Sequence, residues 1–470
     1  MDTVTTTENR TFPEIQVGEK ASVSKTITRE DIELYGAVTG DANPVHYDES
    51  VARAARFDGI VGHSMIAAGL ISNVLGNKLP GPGTIYRSQN LRFMRPVYAG
   101  DTITATVTAR EKRPDQGVVV LDCVCVNQRG EEILTGTAEV VAATEKMRVA
   151  PKATPQLRVQ SHEKYERLIN RAKELPAKNT IVAHPCDESS LRGALEAAEA
   201  GMIVPILVGP EQKIRSAAAG TGVDIRRFEL VQAPHSQAAA AKAVELIRSG
   251  RGEILMKGSL HSDELLREVA SKEGGLRTGR RISHVFIMDV PTYPHALFIT
   301  DAAVNIAPDL DAKQDIVQNA IDLHVGLGLG TPRVAILSAV ETVSAKIPGT
   351  IDAAALCKMA DRGQITDGLL DGPLALDNAI SPDAARIKGI RSEVAGRAQI
   401  LVVPDLEAGN MLAKNLSFMA NADAAGIVLG ARVPVVLTSR ADSVRTRLAS
   451  CAVAVLYAHA RQQRVPLAAE

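Results

Sequence analysis

Net charge, paired cysteines and long apolar runs are all scarce in this 470-residue chain. Lysine and arginine total 53 against 54 aspartates and glutamates, a formal net charge of −1, so no global field draws the chain to nucleic acid or to a membrane surface. Individual basic residues remain available for phosphate groups. The five cysteines, Cys123, Cys125, Cys186, Cys357 and Cys451, form no CxxC pair and are odd in number, which argues against both a cysteine-held metal and a disulfide framework. Cys123 and Cys125 alternate along a Val/Leu-rich run, so on a strand they share one face as small core residues. No apolar stretch reaches the roughly 18 uninterrupted residues of a membrane span. The N-terminus is polar and lacks an apolar leader segment, so the expected compartment is the cytoplasm.

Apolar residues make up 45% of the chain and charged residues 23%, the balance of an ordinary globular protein. The length exceeds one ordinary core, and two or three domains are expected. From Ile15 to Val141 the pattern is a polar lead-in, a helix opening at Thr28, an apolar helix from Met65 to about Leu75, and then four alternating segments. Those segments, Ser88 to Met94, Thr102 to Ala109, Val118 to Val126 and Ile133 to Val141, have period two and no helices between them. One long helix against consecutive antiparallel strands predicts an α+β layer. Between Ala142 and Gln160 the chain turns to Thr, Lys, Pro and Ala without periodicity, a linker by composition. From Ser161 onward helical stretches alternate with short apolar strands at Thr180, Ile203, Ile254, Ser283, Arg333, Gln399 and Val433, which predicts a mostly parallel sheet covered on both faces.

In the first half the segment YGAVTGDANPVHYD, Tyr35 to Asp48, places Asp41 and His46 five residues apart around Asn43-Pro44. The residue before proline is pushed out of the α region, so this is a loop that can bring carboxylate and imidazole to one side. Such a pair can polarise a water, the imidazole moving a proton near neutral pH. An Asx-turn aspartate beside a surface histidine is the bland alternative, and spacing alone does not separate the two.

Several pieces in order resemble the MaoC-like (R)-specific enoyl-CoA hydratases over residues 14–142: GDANPVHYD at Gly40 to Asp48, GHSM at Gly62 to Met65, Ser72 on the next helix, and PGPGTIYRSQNLRFMRPVYAGD from Pro80 to Asp101. The resemblance implies a hot-dog fold, an antiparallel sheet wrapped on one helix. It implies that Asp41 and His46 add water across a trans-2-enoyl-CoA, with Asn43, Ser64 and Ser72 at the substrate. Ser64 stands where that family has glycine, whose N–H helps hold the thioester oxygen; the donor survives wherever serine can adopt the backbone angles. His63 is open to a packing or capping role as well as chemistry.

In the second half the glycines of GLGLG, Gly326 to Gly330, follow a helical stretch and precede a strand. A dinucleotide fingerprint has the reverse order, so the run reads as a helix end plus turn. More specific are LMKGSLHSDELLREV from Leu255, ITDAAVNIAPDLDAK from Ile299, DGPLALDNAIS from Asp371, GRAQILVVPDLEAGNMLAKNL from Gly396 and VVLTSRADS from Val435. These resemble the phosphate acetyl/butyryltransferases, and the wording of DGPLALDNAIS and TSRAD looks closer to the butyryl branch. The resemblance implies a two-lobed α/β phosphotransacetylase-like domain of isocitrate-dehydrogenase-like architecture over residues 161–470, after a linker at 143–160. It implies acyl exchange between CoA and inorganic phosphate with no metal or redox cofactor.

Arg440 suits bidentate phosphate binding. Ser439 matches a family residue that bonds the acyl carbonyl or phosphate, and Asp442 is the candidate base for the CoA thiol. The acetyltransferase aspartate falls nearer Thr446, and Asp442 reads equally as a helix N-cap. Lys257, Arg267, Asp301 and Asn305 are candidate substrate contacts, against strand-end, solvated-helix and capping roles. The whole chain then reads as a bifunctional enzyme on acyl-CoA, CoA and phosphate, with no nucleic-acid or membrane partner and, by resemblance, a homo-oligomer. The alternative is one active hydratase whose second half senses acyl-CoA. An isocitrate-type dehydrogenase lacks a metal-carboxylate cluster or nicotinamide motif in the sequence.

Overall fold

The computed structural model describes residues 7–150, 163–221, 224–437 and 443–464. The chain divides into two compact units, residues 1–160 and 161–470.

In the N-terminal unit, β1 (Thr7–Glu8), β2 (Lys20–Thr26), β3 (Ile85–Phe93), β4 (Thr102–Arg113), β5 (Val118–Val126), β6 (Glu132–Val141) and β7 (Arg148–Val149) form two sheets. The larger has the order β2-β4-β5-β6-β3, with every pairing antiparallel. Alternation along β4 buries Ile103, Ala105, Val107 and Ala109 on one face. Those side chains meet the helix Met65–Asn77, which buries Ile66, Ala67, Leu70, Ile71, Val74 and Leu75. Each large aliphatic side chain so buried contributes about 1.5–3 kcal/mol, which holds the helix in the sheet's concavity. This is the hot-dog arrangement. Cys123 and Cys125 lie on the core face of β5, both free and buried, and burial pushes their thiols up to about 11 and about 12.

The segment read as linker from Ala142 is structured as far as Val149. β7 pairs with β1, Asn9 bonds the backbone of Glu145 and Met147, and Lys146 pairs with Glu14 at 2.9 Å. Composition missed this because the stretch has no periodicity of its own and is held by the N-terminus.

In the C-terminal unit the strands are β8 (Lys178–Ala183), β9 (Ile203–Gly209), β10 (Glu229–Gln232), β11 (Ile254–Lys257), β12 (Ser283–Asp289), β13 (Leu297–Thr300), β14 (Arg333–Leu337), β15 (Leu369–Leu374), β16 (Ile400–Val402), β17 (Asp423–Leu429) and β18 (Val435–Val436). They make one sheet of order β10-β9-β8-β11-β18-β17-β12-β13-β16-β14-β15. The first five run parallel to one another, and so do the last four, in the opposite sense. β17 and β12, antiparallel to their neighbours, join the two blocks. The two-lobed α/β reading is this reversal. GLGLG is a helix end plus turn, since the helix Leu310–Gly326 stops there and β14 begins at Arg333. The helix Val444–Arg464 carries a buried run from Cys451 to Ala458 through the centre of the unit.

Candidate active sites

In the N-terminal unit the helix Arg29–Thr39 fixes the loop. Thr28 and Asp31 form a capping box at its start, and Gly40, in the left-handed region at φ 78°, ends it and releases the chain at Asp41. Asn43 caps a short 3₁₀ turn, Pro44–His46, by accepting the Val45 N–H, and so carries His46 back toward Asp41. Tyr47 secures the bend by donating from Oη to the Asp41 carbonyl at 2.8 Å. Gly36 makes room for that contact: a Cβ there would lie 1.7 Å from the Tyr47 oxygen.

Three side chains converge. Asp41 Oδ2 lies 3.9 Å from His46 Nε2 and 3.8 Å from His63 Nε2, and the two imidazoles stack with centroids 3.8 Å apart. His46 Nδ1 is 2.7 Å from the Val61 carbonyl; as its donor it leaves Nε2 to accept. His63 is buried, with the Tyr35 ring tilted against it at 5.0 Å; burial first, then the neighbouring His46, lowers its pKa below the usual imidazole value. Asp41 is 49% exposed, so the trio opens to solvent on the carboxylate side.

Oδ1 of Asp41 also accepts the Asn43 N–H, so the Asx-turn and site readings hold together. Ser64 precedes the helix Met65–Asn77 with φ −56° and ψ −31°, angles serine adopts without strain. Ser72, on that helix, is exposed and lies off the face that packs on the sheet.

In the C-terminal unit a cavity of ≈ 840 Å³ lies where the sheet reverses direction. Lys257, at the end of β11, and His284, on β12, enter its wall; the helix Leu406–Met419 adds Asn410, Lys414 and Ser417, all on one face by their four- and three-residue spacing. Thr446 lines it as well, near the position where the acetyltransferase aspartate was expected. Buried Lys257 donates to the carbonyls of Gly258 and Leu260 at 3.3 and 3.2 Å, which aims its ammonium across the strand end.

Ser439, Arg440 and Asp442 lie outside the described residues; Leu437 and Ser443 on either side line the cavity. Ser443 takes the N-cap position of the last helix, accepting the Thr446 N–H at 3.1 Å. Three expected substrate contacts, Asp301, Asn305 and Arg267, are absent from the cavity wall. Asp301 accepts the N–H groups of Ala303, Val304 and Asn305 and the Asn305 amide, while Asn305 accepts from Arg281 at 2.6 Å, so the pair ties a turn to β12 and does not line the cavity. Arg267 is 69% exposed on the solvent side of the helix Ser262–Val269, 3.9 Å from Asp263. A helix face decides that position, and the one-dimensional motif does not show which face is wet.

His284, Asn410, Lys414 and Ser417 escaped the sequence reading. The signal available was a polar stripe on a helix within an already noted segment, and a lone histidine in an otherwise apolar strand.

The phosphate acetyl/butaryl transferase family matches residues 234–455, and the MaoC like domain matches residues 12–122. The chain is 72% identical over 306 residues to the phosphate acetyltransferase of Rhizobium meliloti, covering 65% of this chain and 96% of that protein. It is 42% identical over 294 residues to the phosphate butyryltransferase of Clostridium acetobutylicum, covering 63% and 98%. Overall identity is thus higher to the protein named as an acetyltransferase, against the wording of the two short motifs. The solved R-hydratase PhaJ1 of Pseudomonas aeruginosa is 37% identical, covering 33% of this chain and 99% of that one, with a TM-score of 0.32. With that coverage of whole relatives, the chain belongs to the phosphate acetyl/butyryltransferase family, and it carries a MaoC-like hot-dog domain in its N-terminal unit.

Proposed function

We propose that the chain is a bifunctional acyl-CoA enzyme, a phosphate acyltransferase in its C-terminal unit and a trans-2-enoyl-CoA hydratase in its N-terminal unit. Family membership and the cavity at the sheet reversal support the first activity. A phosphate oxygen bonds to the thioester carbon, the C–S bond breaks, and the proton released from phosphate ends on the CoA thiol. Lys257 and Lys414 supply positive charge at the wall, and Arg440, Ser439 and Asp442 keep the roles the resemblance implies.

The observation that carries the second activity is the approach of Asp41 to His46 in one loop. Their 3.9 Å gap is longer than a direct hydrogen bond and suits one water held by both. The water oxygen bonds to C3 of the enoyl group while a proton passes to C2, giving the (R)-3-hydroxyacyl-CoA of the family. The enolate oxygen formed on the way is held by N–H groups at Ser64 and the start of its helix. Neither reaction as proposed uses a metal or redox cofactor.

In the purified chain, Asp41→Ala should abolish crotonyl-CoA hydration, followed by enoyl absorbance, and leave phosphate-dependent CoA release unchanged. Loss of both activities, or of neither, refutes the two-site reading. Acyl-CoA that alters the hydration rate without acyl phosphate accumulating identifies the C-terminal unit as a regulator instead.

A further inference from the structure

Among the described residues of the C-terminal unit, two histidines are deeply buried, and they differ in their partners. His324 is a structural histidine: Nδ1 meets the Gly330 carbonyl at 3.0 Å and Nε2 meets Gln399 at 3.4 Å. His284 is 1% exposed, its Nδ1 is enclosed without a hydrogen-bond partner, and none of the described residues bonds its Nε2. Buried polar atoms are paired in the great majority of cases, so an orphan at a cavity wall points to a bound group. The ring is packed in place and lines the cavity. Phe286 packs against it edge-on at 4.4 Å. Gly426, on neighbouring β17, puts no side chain against Nε2: a Cβ there would stand 3.1 Å from Nε2 and 3.0 Å from the Leu437 carbonyl oxygen.

Resting on the acyl transfer proposed above, we propose that His284 is a catalytic residue of the C-terminal site, donating an imidazole N–H to the carbonyl oxygen of the acyl thioester. As phosphate oxygen bonds to the carbonyl carbon, the carbonyl π pair moves onto that oxygen. His284 holds the resulting oxyanion. Collapse re-forms C=O and expels CoA as a thiolate, and the imidazole keeps its proton throughout.

The charge state separates a donor from a base. Burial pushes His284 down to about 4, opposed only in part by the Asp301 carboxylate, whose oxygens are already committed to the Asn305 turn. A ring of that acidity is neutral at pH 7 and carries one N–H. It is too weak a base for a thiol near about 8.5, and well suited to donate without titrating.

Phosphate-dependent release of CoA from acetyl-CoA by the full chain tests the assignment. His284→Leu keeps bulk and removes the donor; His284→Gln keeps an N–H. His284→Leu should lose about 10²-fold to 10³-fold in kcat, the effect of deleting one oxyanion donor, with the phosphate KM within about threefold. His284→Gln should retain at least about ten times the kcat of His284→Leu, in line with a donor worth that much. Equal activity in the two variants, or His284→Leu within about threefold of wild type, overturns the proposal on the same scale. Should both variants misfold by circular dichroism, the chain carrying His46→Gln and His63→Gln, labelled with ¹⁵N-histidine, decides: saturating acetonyl-CoA, a ketone analogue, must move one buried imidazole N–H resonance downfield, and an unmoved spectrum refutes the contact. If wild type releases no CoA with phosphate, the acyl-transfer reading falls, and this role falls with it.

Discussion

Asp41 shows how one side chain can serve the backbone and a candidate site together. One oxygen closes an Asx turn with Asn43, and the other faces two stacked imidazoles. The geometry depends on a residue five positions upstream. Any side chain at Gly36 displaces the Tyr47 hydroxyl that ties down the Asp41 carbonyl. Because the clashing atom is the end of a movable ring, Gly36→Ala should cost little stability, within about 1–2 kcal/mol, while crotonyl-CoA hydration falls by about tenfold or more through the shifted loop. Urea denaturation and enoyl absorbance on the same preparation check this, and unchanged activity would show that Tyr47 does not position the site.

At the scale of elements, alternation and helical stripes carried most of the fold. The strands Val118–Val126 and Ser283–Asp289 and the helix from Met65 stand where period two and continuous apolar character put them. β10, β13, β15 and β17 were not anticipated. β15 holds Gly372-Pro373, and β17 is rich in Ala and Gly, so neither has strong strand propensity; neighbours in the sheet hold them extended. β3 is an edge strand with exposed Ile85, Tyr86 and Phe93, followed by exposed Met94. Apolar side chains on an unpaired edge invite a second chain. If this edge pairs with a second copy, light scattering should give a multiple of 49.9 kDa and Phe93→Lys should lower it, whereas a wild-type monomer rules such pairing out.

For the whole molecule, two compact units predict two separate responses to solvent. The C-terminal unit holds His284 and His324, both pushed by burial from 6.5 to about 4. Their folded pKa is depressed, so between about 6.5 and about 4 the unfolded chain binds more protons than the folded one. The stability they permit is fully present above about 6.5 and is lost as pH falls toward about 4; at pH 5 each costs about 2 kcal/mol relative to neutral pH. The denaturation midpoint of this unit should therefore drop between pH 7 and pH 5, and His324→Gln should flatten part of that slope. A midpoint constant over the range contradicts the linkage.

The sequence by itself determined the two halves, their fold classes and the Asp41–His46 loop, because side-chain periodicity, proline and cap residues act over a few neighbouring positions. Tertiary structure alone decided which polar residues share a space. His63 reached Asp41 and His46 by stacking across 17 residues of chain from His46, and His284 came to the wall of the cavity with Asn410 and Lys414 only through sheet order and helix packing. Arg267, in a matching motif, was turned to solvent by its helix face, and Asp301 and Asn305 were drawn into their own turn. Local patterning sets which atoms can be buried; only the closing of distant elements sets which of them meet a ligand.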